Sequence, residues 1–111
     1  MRIPDDAIVP EEKLTRYLLV PRPTDDKSKF LAQAGFGQDN PDELMAAIRS
    51  LAIGADGSED GTNDYGTFFR VEGDLVGPSG RALSVVTIWL RWHSDESFHF
   101  VTLKPRRIQS S

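Results

Sequence analysis

The chain has 111 residues, of which 39% are apolar, with nine Gly and no Cys; this is the size and composition of one globular domain and leaves no room for two independent cores. The absence of Cys excludes a disulfide scaffold, a thiolate zinc site and a cysteine nucleophile, and two His cannot build an all-imidazole site, so neither metal nor cofactor is expected. The net charge of −4 argues against a surface wholly devoted to a nucleic-acid backbone; even so, residues 1–64 carry 7 basic and 13 acidic side chains and residues 65–111 carry 6 and 4, so a polyanion would meet the C-terminal half first.

The opening MRIPDDAIVPEEK places acids where a secretory signal requires bases, and no segment approaches the roughly 18 apolar residues of a membrane helix. A cytoplasmic protein without a membrane partner is the expectation. Glu11 and Glu12 follow Pro10 at a helix start, and Leu14, Tyr17 and Leu18 repeat with helical spacing, which predicts a helix over 11–19 that Pro21-Arg22-Pro23 stops. Thr24-Asp25-Asp26 offers cap residues for a second helix over 26–34, in which Phe30, Leu31 and Ala34 share a face and Gly35 ends the turn. Asn40 as cap, Pro41 at the first position and Leu44, Ala47, Ile48 and Leu51 in sequence predict a third helix, ended by Gly54. The stretch GADGSEDGTNDYG (54–66) has no apolar period and reads as a mobile loop.

Beyond Gly66 the periodicity becomes alternating. Thr67–Glu72, Ala82–Trp92 and Phe98–Lys104 read as strands joined by the turns Gly77-Pro78-Ser79-Gly80 and Ser94–Ser97. The fold class is therefore α+β, with two or three N-terminal helices (about 11–53) followed by an antiparallel meander of three to four strands (about 67–105). In the second strand Val86, Ile88 and Leu90 are uniformly apolar, which assigns the even positions to the core and the odd ones to solvent. With Asp95-Glu96 at the hairpin tip, Arg91 pairs with Phe100, Trp89 with Thr102 and Thr87 with Lys104. Phe98–Lys104 then forms a sheet edge.

On this reading the outward face carries Thr87, Trp89, Arg91, Phe100, Thr102 and Lys104, with Arg70 joining from the first strand. Cations, hydroxyls and aromatic rings on a sheet suit phosphates and stacked bases. An ordinary solvent face, in which Trp89 and Phe100 pair and Arg91 covers them, accounts for the same residues, as does a protein-binding face anchored by Trp and Arg. His99 lies on the inward side beside Trp92 and is a candidate proton carrier. Asp56, Glu59, Asp60 and Asp64 lack the spacing of a calcium loop, and the glycines of GADGSEDG lack the Gly-Lys-Ser/Thr of a phosphate loop.

The segments IVPEEKLTRYLL (8–19), DDKSKFLAQAGF (25–36), GTFFRVEGDLVGPSGRALSVVTIWL (66–90) and FVTLKP (100–105) together resemble a widespread bacterial family of small domains, found as stand-alone chains and at the C-termini of polymorphic toxins. That family resembles in turn the helices-then-sheet plan of the barnase, EndoU, colicin and RelE class of ribonuclease toxins. The resemblance matches a recurring lysine to Lys27, a strand motif to Thr87 and Trp89, and a last-strand motif to Val101, Thr102 and Pro105; Lys104 stands where relatives often have an aromatic residue. It implies RNA cleavage at the sheet face, without metal, under the control of a small cognate antitoxin or immunity protein. Lys27, Arg91, Thr102 and His99 are then the catalytic candidates, and Arg70, Thr87, Trp89 and Lys104 the substrate-binding ones. The competing expectation is a non-enzymatic, immunity-like module whose acidic N-terminal half covers a basic protein.

Overall fold

A computed structural model of the chain describes residues 3–4, 6–20 and 27–106. In chain order the elements are α1 (Glu11–Lys13), continuing as a π-helical segment (Leu14–Leu18), α2 (Ser28–Ala32), α3 (Pro41–Ile53), β1 (Ser58–Thr62), β2 (Gly66–Val76), β3 (Ala82–Trp92) and β4 (Phe98–Pro105). The four strands form one antiparallel sheet in the order β1-β2-β3-β4. Helices followed by an antiparallel sheet make the α+β class expected from the periodicity switch at Gly66.

The helices bury one side against the sheet. In the first helical stretch the Leu19 N–H bonds to the Leu14 carbonyl, five residues back. That wider turn brings Leu14, Leu18 and Leu19 into the core together, where a regular 3.6-residue turn would carry Leu19 off the stripe. From α2 and its exit come Leu31, Ala34 and Phe36, and from α3 Leu44, Ile48, Leu51 and Ala52. Gly35 adopts φ +93, the left-handed stop expected after a short helix. The cap residues proposed at 24–26 lie outside the described residues. Asn40 does precede α3, but its side chain caps no helical N–H. Its carbonyl oxygen accepts from the Gly37 N–H at 2.7 Å, and its amide donates to the Gly35 carbonyl and to Glu43, which ties the α2–α3 loop to the helix start.

The loop expected over 54–66 contains β1. All five of its residues are exposed, so it has no apolar signature to read; it forms because the open edge of β2 supplies backbone partners, with Ser58 opposite Arg70 and Glu59 opposite Phe69. Gly61, at φ +118, lies in the irregular stretch before Thr62 pairs with Thr67. At the other edge, Ile8 bridges to β4, donating its N–H to Phe98 and accepting from Phe100, both at 2.8 Å. The first half of β4 is thus covered, and the sheet edge expected there is open only beyond it.

The β3 face assignment reverses. Leu83, Val85, Thr87 and Trp89 are buried with Phe69, Val71 and Leu75 of β2, whereas Ile88 and Leu90 are half-buried on the outer side and Val86, also outward, is covered. The hairpin register differs as well. Arg91 faces Phe98, Trp89 faces Phe100, Thr87 faces Leu103 and Val86 faces Lys104. Glu96 takes a left-handed conformation (φ 60), and bonds from the Trp92 N–H to the Ser97 carbonyl and from the Glu96 N–H to the Trp92 carbonyl close the turn two residues earlier than expected. A bulge then lets two residues, Val101 and Thr102, stand between Phe100 and Leu103, and both of those remain inside.

The β2–β3 turn presses on the end of α2. A Cβ built on Gly77 would lie 2.1 Å from the Ala34 carbonyl oxygen, and the Ser79 N–H already donates to that oxygen at 3.1 Å. Gly77→Ala must push backbone from backbone, so it is expected to destabilise the fold by about 2–3 kcal/mol, as overpacked sites do. The denaturant midpoint in a chemical unfolding titration measures this.

Candidate functional site

Lys27 stands at the start of α2 and Thr102 in the β4 bulge, 75 positions apart in sequence. The structure joins them: Lys27 Nζ donates to Thr102 Oγ1 at 3.1 Å in a half-buried setting. The bulge makes this meeting possible, because a regular strand that buried Phe100 would turn position 102 inward as well. Among the described residues the Thr102 hydroxyl has one further contact, to the Leu103 carbonyl at 3.4 Å, which is long for an O–H donor. That hydrogen is therefore weakly held, and an ammonium and a hydroxyl stand together at the rim of the sheet.

The outer face next to this pair carries the remaining cations. Arg70, Ile88 and Thr102 form one cross-strand row, and Glu72, Val86 and Lys104 form the next. Arg70 Nη2 lies 2.9 Å from Glu72, and Arg106 Nε 3.3 Å from the other oxygen of the same carboxylate. Together with Lys104 and Pro105 they line an open hollow of about 440 Å³. Asp56 lines the adjoining hollow with Arg70 and Glu72, so three cations stand here beside two carboxylates, a local excess of one positive charge. Arg70 and Thr102 stand two strands apart, about 10 Å between backbones.

Thr87 and Trp89, expected on this face, lie on the other. Both are fully buried, at 0% exposure. The Trp89 indole N–H donates to Thr87 Oγ1 at 2.9 Å, and that hydroxyl donates to the Val71 carbonyl at 3.0 Å. The relay satisfies the one polar atom of a large buried ring, and Phe100 packs edge-on against it at 5.4 Å. These residues build the core beneath the site and do not form its surface.

Arg91 and His99 sit toward the opposite end of the sheet. Arg91 is half-buried with its guanidinium 5.4 Å from the Phe69 ring centre, a cation–π contact on the core side. His99 lies on the outer side, opposite Leu90 and stacked on Trp92 at 3.9 Å; the inward placement expected for it does not hold. Its Nε2 is 2.8 Å from Ser97 Oγ, and Ser97 donates its hydroxyl hydrogen to Asp95 at 2.6 Å. With that hydrogen committed to the carboxylate, His99 must itself be the donor to Ser97, so the trio is not a nucleophile–base pair. The Ser97 hydroxyl and backbone N–H, both donating to Asp95, hold its carboxyl below the usual aspartate range. Among the described residues no group of three or more His, Asp or Glu is arranged to hold a metal ion, and no helix is long and apolar enough to cross a membrane.

The contact that sequence reasoning did not foresee is the meeting of Lys27 with Thr102 through a strand irregularity. The face error, in contrast, had a readable signal. In TFFRVEGDL the odd positions Phe69, Val71 and Leu75 are apolar while Arg70, Glu72 and Asp74 are charged, and a hairpin closed at Gly77–Gly80 puts Phe69 opposite Trp89.

No curated protein matches the chain. Among solved structures, one from a contact-dependent growth inhibition toxin–immunity protein complex of Klebsiella pneumoniae 342 superposes with a TM-score of 0.70 at 22% identity, covering 90% of this chain and 100% of that one. At that identity the likeness establishes the shared fold. Residues 3–107 match the family described as Domain of unknown function (DUF6883), and the chain belongs to that family.

Proposed function

We propose that the protein is the RNA-cleaving domain of a bacterial toxin system, held in check by a small cognate protein. The observation that carries this reading is the Lys27–Thr102 pair, an ammonium and a loosely held hydroxyl fixed together beside a cationic sheet face. Attack by the ribose 2′-oxygen forms a P–O2′ bond and breaks P–O5′, leaving a 2′,3′-cyclic phosphate and a 5′-hydroxyl, with solvent taking the 2′-hydroxyl proton and returning one to the 5′-oxygen; the phosphorane between them carries added negative charge that fixed donors stabilise. Lys27 supplies the charge and Thr102 a hydrogen bond to a phosphoryl oxygen, while Arg70, Lys104 and Arg106 hold neighbouring phosphates. The likeness to a protein from a toxin–immunity complex supports the setting. The test is incubation of purified protein with total cellular RNA and tRNA without added metal. Cleavage is expected. A folded wild type that leaves both intact removes the reading.

Lys104 belongs to the binding half of this scheme. Lys104→Ala is expected to weaken binding of single-stranded RNA and to lower the slope of log affinity against log salt by about 0.7, the value for one lost phosphate contact on a single strand. Fluorescence anisotropy over a salt series measures both.

A second reading, an immunity-like module, draws on the net charge of −4 and on β1, a fully exposed edge carrying Glu59 and Asp60. Tight binding of a basic nuclease together with an absence of intrinsic cleavage would establish it in place of the first.

A further inference from the structure

The end of the sheet remote from Lys27 holds a second, chemically different feature. On the outer side Tyr65, Leu90 and Trp92, with Asp64, His93 and Ser94, line an open hollow of about 630 Å³. Its walls are mainly apolar, and two of them are large exposed rings, Tyr65 at 75% and Trp92 at 41% exposure. Single exposed apolar residues are ordinary, but two aromatic rings bordering one concavity are not.

One wall of the hollow is positioned by a ring contact and the other through its backbone. Trp92 is stacked on His99 at 3.9 Å with 12° between planes, which fixes one face of the indole and leaves its remaining surface to solvent. Tyr65 is anchored through its backbone: its N–H donates to Asn63 Oδ1 at 2.9 Å, and its carbonyl accepts from the His93 N–H at 2.9 Å. A stacked indole loses little conformational entropy on binding, and Trp and Tyr dominate the energetic centres of protein interfaces.

Charge selects the occupant. None of the lining residues is Lys or Arg, Asp64 stands on the rim, and the adjoining turn continues into exposed Asp95 and Glu96. A phosphate backbone would be repelled here, whereas a cationic protein surface would be attracted. We propose that this hollow is a docking site for a partner protein that inserts an apolar side chain flanked by Lys or Arg. The proposal stands apart from the cleavage chemistry and holds whether or not the protein cuts RNA.

A display library of random twelve-residue peptides, selected on the 111-residue chain, tests it. The expected winners carry an aromatic or branched aliphatic residue next to Lys or Arg, and titrating them shifts the Trp92 indole N–H resonance. Tyr65→Ala, at a side chain too exposed to affect folding, should weaken their binding at least tenfold, and Asp64→Asn about threefold at low salt. Failure to recover any peptide that shifts Trp92, winners rich in acids, or affinities unchanged in Tyr65→Ala would overturn the proposal. So would a uridine-rich RNA dodecamer that shifts Trp92 more strongly than the basic peptides.

Discussion

Replacing Trp89 with Ala is expected to cost about 3–5 kcal/mol of stability, the range for deleting a large aromatic side chain from a core. The ring is fully buried between the helical layer and the sheet, with Phe100 against its edge. Its removal leaves a cavity and also strips the Thr87 hydroxyl of a hydrogen-bond donor. For a domain of this length each kcal/mol lowers the melting temperature by about 4–8 °C, so a fall of at least 12 °C should appear by calorimetry. Trp89→Phe keeps most of the volume and loses the N–H, and should fall between the two. A melting temperature that moves by only a few degrees in Trp89→Ala would show that the ring is not in the core. The distinction matters for function, because a residue that reads RNA from the surface would change binding and leave stability nearly untouched.

Lys27→Ala has the opposite signature. The reading of Lys27 as the charge that stabilises the phosphorane predicts a loss of RNA cleavage of about 100- to 1,000-fold, the scale on which removing one preorganised electrostatic donor acts. Stability should change little, by less than about 1 kcal/mol, since the hydrogen bond to Thr102 is half-buried and both groups can be rehydrated. Thr102→Val removes the hydroxyl at nearly constant shape and should lower cleavage as well. Because the two groups act as a unit, the double variant is expected to lose much less than the product of the single losses. Single-turnover rates with folded variants measure all three. If Lys27→Ala cleaves RNA at the wild-type rate, Lys27 has no catalytic role, whatever the fate of the cleavage reading.

The fold was largely legible because its main signals are local. Pro41, the acids after it and the spacing of Leu44, Ile48 and Leu51 specify α3 without reference to the rest of the chain, and Gly77–Gly80 and Ser94–Ser97 punctuate the strands. β1 was not legible. A strand whose five residues are all exposed is held by the backbone of its neighbour, and its side chains carry no trace of that.

The candidate site was legible in its parts and not in its arrangement. Thr102, Arg70 and Lys104 stood out by type and position and Lys27 through the family resemblance, but alternation in β3 alone assigned the sheet residues neighbours from the wrong face. Both sides of that central strand are apolar, because the outer residues Ile88 and Leu90 are half-covered by flanking side chains such as Phe68. The polar residue at position 87 looked like a surface marker, yet a hydroxyl that donates to Val71 and accepts from Trp89 is fully satisfied inside the core.

Sequence by itself determined the element order, the α+β class, the uneven distribution of charge and the absence of thiol chemistry, since each depends on residue identity or short-range spacing. Tertiary structure decided which face of β3 is buried, where the last hairpin is registered and that Lys27 meets Thr102. A left-handed residue in the β3–β4 turn and one extra residue in β4 each shift everything beyond them. In a structure with a two-residue period, such a shift exchanges core for surface, and only the packing of the whole sheet against the helices selects the outcome.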